Sequence, residues 1–353
     1  MANFGPKDIK KLRGMTDAGM MDCKKALTEA DGDMDKAVAW LRDQGMGAAA
    51  KKAGKVAAEG AIGVKVEGKK AVVVEINSQT DFVAQNDKFL AVMSDVVNHA
   101  FDNALADAEA INASTINGQP FAEYLSLQVA TIGEKLVVRR SALINADETT
   151  AVNGYVHSNK QNGVIIEAKC DSAQTAEALT PVLKEVAMHA AAMAPSTLSY
   201  KDFDATYVAE ETQGRIIAIE KENEELVRLG KTLKNVPAYI SMSQLTEEVM
   251  AETEAVLKEE LKAEGKPEKI WDRILPGKIE RFISDNTTLD QEQCLLDQKF
   301  VMDDSKTVAE YIAEKAKAAG GTAEITNFTR LEVGEGIEVA EEDFAAEVAA
   351  QMG

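Results

Sequence analysis

The chain is 353 residues long and carries a formal charge of −20. That length suits two or three domains, each with room for a core. The acidity argues against nucleic acid as the main ligand, because phosphate binding needs clustered Lys and Arg, and no apolar run approaches the ~18 residues of a membrane span.

The first residues mix Lys, Asp and apolar positions and show no signal-peptide h-region, so a cytoplasmic protein is expected. Cys23, Cys170 and Cys294 form no CxxC pair and read as buried free thiols of a reducing compartment. Charge is unevenly spread. Residues 1–56 hold 11 Lys and Arg against 8 Asp and Glu, leaving 28 against 51 for the rest. A small basic head on an acidic body predicts a separate domain with its own contact surface.

Residues 1–45 read as three short helices. Ile9 and Leu12 turn inward after Pro6, and Met20, Cys23, Ala26 and Leu27 follow near-helical spacing. Asp31-Gly32-Asp33 makes a turn and N-cap, Ala37, Val38 and Leu41 form a third stripe, and Gly45 is read as its stop. Residues 46–60, rich in Ala, Gly and Lys, read as a linker with a helical stretch.

Ala71 to Ile76 is strand-like, and Glu75-Ile76-Asn77-Ser78-Gln79-Thr80-Asp81-Phe82-Val83-Ala84 follows on from it. An aromatic in a polar turn between a strand and a helix is the most informative feature of the chain. Exposing a large apolar side chain costs about 1.5–3 kcal/mol relative to burying it. Such a residue therefore folds back into a core or fills a partner's pocket.

The middle of the chain repeats itself. Val72-Val73-Val74-Glu75-Ile76 resembles Val164-Ile165-Ile166-Glu167-Ala168. Each run follows a strand-like segment (Ile62 to Val66, then Tyr155-Val156) and a turn assigned to Gly68 or Gly163. Each precedes a long amphipathic helix, one holding His99 and the other His189. Leu136 to Ile144 and Ile325 to Val333 supply a third strand for each unit. An α+β fold with duplicated subdomains and antiparallel sheets is expected, over 61–147 and over 148–205 with 266–333. Residues 206–265 read as an inserted helical coiled-coil hairpin, interrupted at Asn235-Val236-Pro237, and residues 334–353 as a C-terminal helical module.

Little catalytic chemistry is encoded. Gly63 to Lys70 nearly matches a phosphate-binding loop but lacks the Ser/Thr and the following helix. Gly334-Glu335-Gly336 lacks the third Gly of a dinucleotide site. His99 and His189 read as packed or surface helix residues. His157 lies in a loop without an identifiable nucleophile or Asp partner. Asp and Glu residues read as solvated faces. The residues alone look like a binding protein more than an enzyme, and they leave open an adaptor or chaperone with a ubiquitin-associated-type head and an enzyme using His157 as base.

Leu12-Arg13-Gly14-Met15-Thr16-Asp17-Ala18-Gly19-Met20-Met21-Asp22-Cys23-Lys24-Lys25-Ala26-Leu27 resembles the N-terminal signature of the bacterial translation elongation factor Ts family. Glu75 to Ala84 resembles its second signature, and Phe328 to Glu338 followed by Asp343 to Ala349 resembles its end. Two features depart from the usual pattern: Gln85 stands where Lys, Arg or Asn is common, and residues 217–256 exceed the usual length. The resemblance implies a non-catalytic guanine nucleotide exchange factor without cofactor, acting on the GTPase elongation factor Tu. It implies contacts from Arg13, Met20, Met21, Lys24 and Lys52. Thr80, Asp81, Phe82 and Val83 would contact the partner, with Asp81 and Phe82 near its magnesium site and Phe82 wedged between two of its helices, and Ile132 and Gly133 would lie in the neighbouring loop. His157 would add a contact from the second subdomain, and Phe344 and Val348 one from the C-terminal helix. It leaves room for a homodimer or a two-to-two complex and involves neither nucleic acid nor membrane.

Overall fold

Alternation along two neighbouring strands sets the centre of the fold. The computed structural model describes residues 3–16 and 18–338. It opens with helices α1 (Pro6–Thr16), α2 (Met20–Glu29) and α3 (Met34–Lys52), then strands β1 (Glu59–Glu67) and β2 (Lys70–Ser78). Next come α4 (Asp81–Ala84), α5 (Asp87–Asp102), α6 (Ala108–Asn112), β3 (Thr115–Ile116), β4 (Gln119–Pro120), α7 (Phe121–Ile132) and β5 (Val137–Asn145). The second half holds β6 (Thr150–Val156), β7 (Asn162–Cys170), α8 (Ala173–Met193), α9 (Ala205–Arg228), α10 (Glu247–Ala263), α11 (Trp271–Asp285) and α12 (Thr288–Gln293). It ends with β8 (Lys299–Phe300), β9 (Asp303–Thr307), α13 (Val308–Ala318) and β10 (Ala323–Glu332).

The fold is α+β with small sheets, and every strand pair with a defined register is antiparallel. One sheet has the order β1-β2-β5 and the other β10-β7-β6. Because side chains alternate along a strand, β2 serves two cores. Val72, Val74 and Ile76 pack with Phe89, Val92 and Val96 of α5. Ala71 and Val73, with Ile62 of β1, pack against Val152 and Ile165 of the second sheet. The second sheet comes close there, because a Cβ at Gly163 would lie 2.4 Å from Ile62. Gly163 is thus a packing residue inside β7 rather than the turn. The β6–β7 turn spans His157 to Gln161, with Lys160 at φ 59°.

The chain divides into two compact units, residues up to 191 with those from 328 on, and residues 192–327. In the first, Leu12, Cys23, Ala26, Leu27, Ala37 and Leu41 form the core of the helical head. Gly45 does not end α3, which runs on to Lys52. Gly45 is buried where α3 crosses α7, and a Cβ there would lie 3.2 Å from Leu127. Its missing side chain permits helix contact. Leu127 also joins the core of the head, so α7 carries it.

In the second unit, Val208, Ile240 and Leu289 are buried together beside Phe203. Helices α9 and α10 lie in this unit, and α10 packs on α11, through Lys278, whose ammonium lies 3.3 Å from Glu260 and 3.1 Å from Glu264. The Asn223 side chain grips Lys234, donating to its carbonyl at 2.8 Å and accepting from its amide at 2.7 Å. The returning chain is thereby held on α9 as an irregular segment.

Candidate partner-binding face

Thr80 starts α4 as its N-cap, in extended geometry, and its hydroxyl accepts from the Val83 amide at 3.3 Å. A single turn of about 100° per residue then splits the motif. Val83 and Ala84 face the core. Asp81 and Phe82 face solvent, and Phe82 is 83 % exposed. The aromatic therefore does not fold back into a core.

The motif is fixed from behind. Both oxygens of Glu134 engage it: Oε2 accepts from the amides of Gln79 and Thr80 at 3.1 and 3.0 Å, and Oε1 accepts from the Thr80 hydroxyl at 2.8 Å. Glu134 follows Gly133, which caps α7 in the left-handed conformation at φ 89°. Ile132 packs into the α5 core. The Lys52 ammonium at the end of α3 donates to the Gly133 carbonyl. Lys135 returns the favour, donating to the carbonyls of Ala53 and Lys55 at 2.7 and 2.8 Å. Lys52, Thr80 to Val83, Ile132 and Gly133 therefore share one locality.

Arg13, Met20, Met21 and Lys24 are exposed on α1 and α2. Opposite them on α2, Cys23, Ala26 and Leu27 are buried. Arg13 and Met20 line a cleft of about 480 Å³ whose other wall includes Asp87 and Lys88 of α5 and Tyr124 of α7. His157 is exposed in the β6–β7 turn, with Nδ1 2.8 Å from Asn159 Oδ1 and its ring edge-on to Tyr155. The same Asn159 oxygen accepts from the Gln161 amide at 3.0 Å, which fixes that side chain inside the turn. The rest of the turn, Ser158 to Gln161, lines a cleft of about 390 Å³ with Asp81 and Gln85. The Phe82 motif and the His157 turn thus flank one groove. Phe344 and Val348 lie outside the described residues.

Glu75 and Asp290 are buried and contradict the solvated-face reading. Glu75 is fully buried on β2. A β-bulge at this point sets both Arg139 and Arg140 against it. Its oxygens lie 3.2 Å from Arg139 Nη1 and 2.5 Å from Arg140 Nε, and it accepts from the Gly334 amide at 3.0 Å. Arg140 also pairs with Glu335 at 2.9 Å. The C-terminal turn is therefore tied to the strand that leads into the Phe82 motif. The paired charges of Arg139-Arg140 break strand alternation, and that is a sequence signal for the bulge. Glu134 carried no such signal.

No group of three or more His, Cys, Asp or Glu residues among the described residues is placed to hold a metal ion. No described helix is long and apolar enough to cross a membrane. The face offers an exposed aromatic, a carboxylate and flanking clefts, which is a constellation for binding.

The family model for Elongation factor TS matches residues 79–236 and 214–335. The chain is 84 % identical over 352 residues to the elongation factor Ts of Sulfurovum sp. (strain NBC37-1), covering 100 % of both chains. It is 54 % identical over 347 residues to that of Campylobacter curvus (strain 525.92), covering 98 % of both. With the Helicobacter hepaticus protein it shares 50 % over 354 residues, covering 100 % of both. The long segment around 217–256 is thus matched by relatives of similar length. The chain belongs to the elongation factor Ts family.

Proposed function

We propose that this chain is a guanine nucleotide exchange factor for elongation factor Tu. On this reading it binds the GDP-bound GTPase and speeds GDP release, so that GTP can load during translation elongation. The observation that carries the reading is Phe82, 83 % exposed on a single helical turn whose lead-in is fixed by Glu134. A large apolar side chain held outward on a fixed turn suits insertion into a partner.

In the proposed mechanism Phe82 wedges between elements of the GTPase. Asp81 brings negative charge towards the magnesium and phosphate site, weakening the ion's hold on the nucleotide. Ile132 and Gly133 add contacts beside them, while Arg13, Met20, Met21, Lys24 and Lys52 hold the GTPase from the helical head. His157 offers Nε2 from across the groove. No bond is made or broken by this chain.

Exchange is a coupling free energy: a factor that prefers the nucleotide-free GTPase weakens GDP by the ratio by which GDP weakens the factor. A thousandfold effect requires about 4 kcal/mol. Burying one Phe supplies about 1.5–3 kcal/mol at most, so the remaining patches must contribute. The test is release of fluorescent GDP from elongation factor Tu with and without the chain, beside an Asp81→Ala/Phe82→Ala double variant. Fast release that falls in the variant supports the reading. No acceleration by the intact chain would favour the adaptor instead.

A further inference from the structure

Phe82 can act as a wedge only if its turn is already in place when the partner arrives. The backbone around Gln79 and Thr80 lacks ordinary support. The register of β1 with β2 ends at Ser78, and that of β5 with β2 ends at Asn77. Helix α4 begins only at Asp81. The amides of Gln79 and Thr80 therefore fall between sheet and helix, where neither ladder can accept them, and unpaired backbone donors are costly. Glu134 accepts both with one oxygen and the Thr80 hydroxyl with the other. Bonds to an ionised acceptor are the stronger kind, and a two-oxygen grip restrains orientation as well as position.

The carboxylate is itself held. Gly133, one residue before it, closes α7 through its amide on the Val129 carbonyl at 2.9 Å. Lys52 and Lys135 stitch the same segment to the end of α3 from both sides. Helix α3 in turn crosses α7 at Gly45. The Phe82 turn is thereby referenced to the helical head, so two separate patches of the proposed face share one rigid frame.

We infer that Glu134 is a positioning residue for exchange: it presets the Gln79–Phe82 turn in its binding-competent conformation and makes no contact with the nucleotide. This rests on the exchange reading above. Without the clamp the turn samples other conformations, and apparent affinity falls by the fraction that remains competent. The saturating rate, set by what Phe82 and Asp81 do once seated, is retained.

The experiment uses the full chain and fluorescent GDP on elongation factor Tu, with release measured across a range of factor concentrations. Glu134→Ala is expected to raise the half-saturating concentration about tenfold, equivalent to about 1.4 kcal/mol, and to leave the saturating rate within about twofold. Phe82→Ala is expected to lower the saturating rate. Glu134→Gln, which keeps one carbonyl for the amides, should fall between Glu134→Ala and the unaltered chain. In parallel, hydrogen exchange on the free protein should show faster exchange at Gln79 and Thr80 in Glu134→Ala, with β1 and β2 amides unchanged. Wild-type curves for Glu134→Ala, or loss of protection throughout β2, would overturn the inference. Failure of the intact chain to release GDP would sink the exchange reading, while the amide measurement would still decide whether the clamp exists.

Discussion

Glu75 and Arg139 sit on neighbouring strands, and both carboxylate oxygens of the buried Glu75 lie 3.2 Å from one guanidinium nitrogen. The bulge that brings Arg139 and Arg140 together against it converts a costly buried charge into a multiply bonded one. Removing one side of such a buried pair typically costs about 3–5 kcal/mol, because the other side stays buried and uncompensated.

Glu75→Ala should therefore destabilise the chain by about 3 kcal/mol or more. Chemical denaturation would measure it. The Gly334 amide, which donates to Glu75, should lose hydrogen-exchange protection in the same variant. Unchanged stability would mean that the cluster contributes nothing net.

Phe82→Ala should behave in the opposite way. With 83 % of the residue exposed, little apolar burial is lost on truncation, and stability should change by less than about 0.5 kcal/mol. Exchange should nevertheless fall, by about 30-fold if burial in the partner is worth about 2 kcal/mol. A thermal melt beside the GDP-release assay separates the two effects, and a large drop in melting temperature would show that Phe82 has a structural role after all.

Burial, with the nearby charge of Asp290 adding to it, pushes the Asp297 carboxyl up to about 6. An unfolded Asp titrates at about 3.9. Between these values the native state holds a proton that the unfolded state releases, so the contribution to stability is complete below the unfolded value and is lost as pH rises through about 6. Asp297→Asn should thus stabilise the chain at pH 8, by on the order of 1–3 kcal/mol, and give little or no such gain at pH 4. Melting temperatures at the two pH values would check it. An equal gain at both would point to a cause other than titration.

Gly45 offers two opposed terms. Alanine in a helix is favoured over glycine by about 1 kcal/mol, but its Cβ would meet Leu127 at 3.2 Å and the Ser126 carbonyl at 3.3 Å. Gly45→Ala should come out near neutral. Gly45→Leu should force α3 away from α7 and cost about 1–3 kcal/mol. Loss of protection at the α3–α7 crossing, measured by hydrogen exchange, would locate the damage. A fully stable Gly45→Leu chain would show that the crossing is looser than its geometry indicates.

Much of this protein was legible from local pattern. The apolar runs Val72 to Ile76 and Val164 to Ala168 marked both central strands, the helical stripes marked α2, α5 and α8, and Phe82 stood out in a polar turn. Each of these depends on neighbours within one or two turns of chain, and so it is written in order along the sequence. What the tertiary structure decided is whatever depends on segments remote in sequence. Glu134 reaches Gln79 across 55 residues. Gly334 reaches Glu75 across 259. Gly45 reads as a helix stop until Leu127 is placed against it, and α10 lies against α11. A carboxylate on a surface and a carboxylate closing a clamp are the same letter. Only the donors that fold around it distinguish them, because hydrogen bonding and desolvation are set by proximity in space.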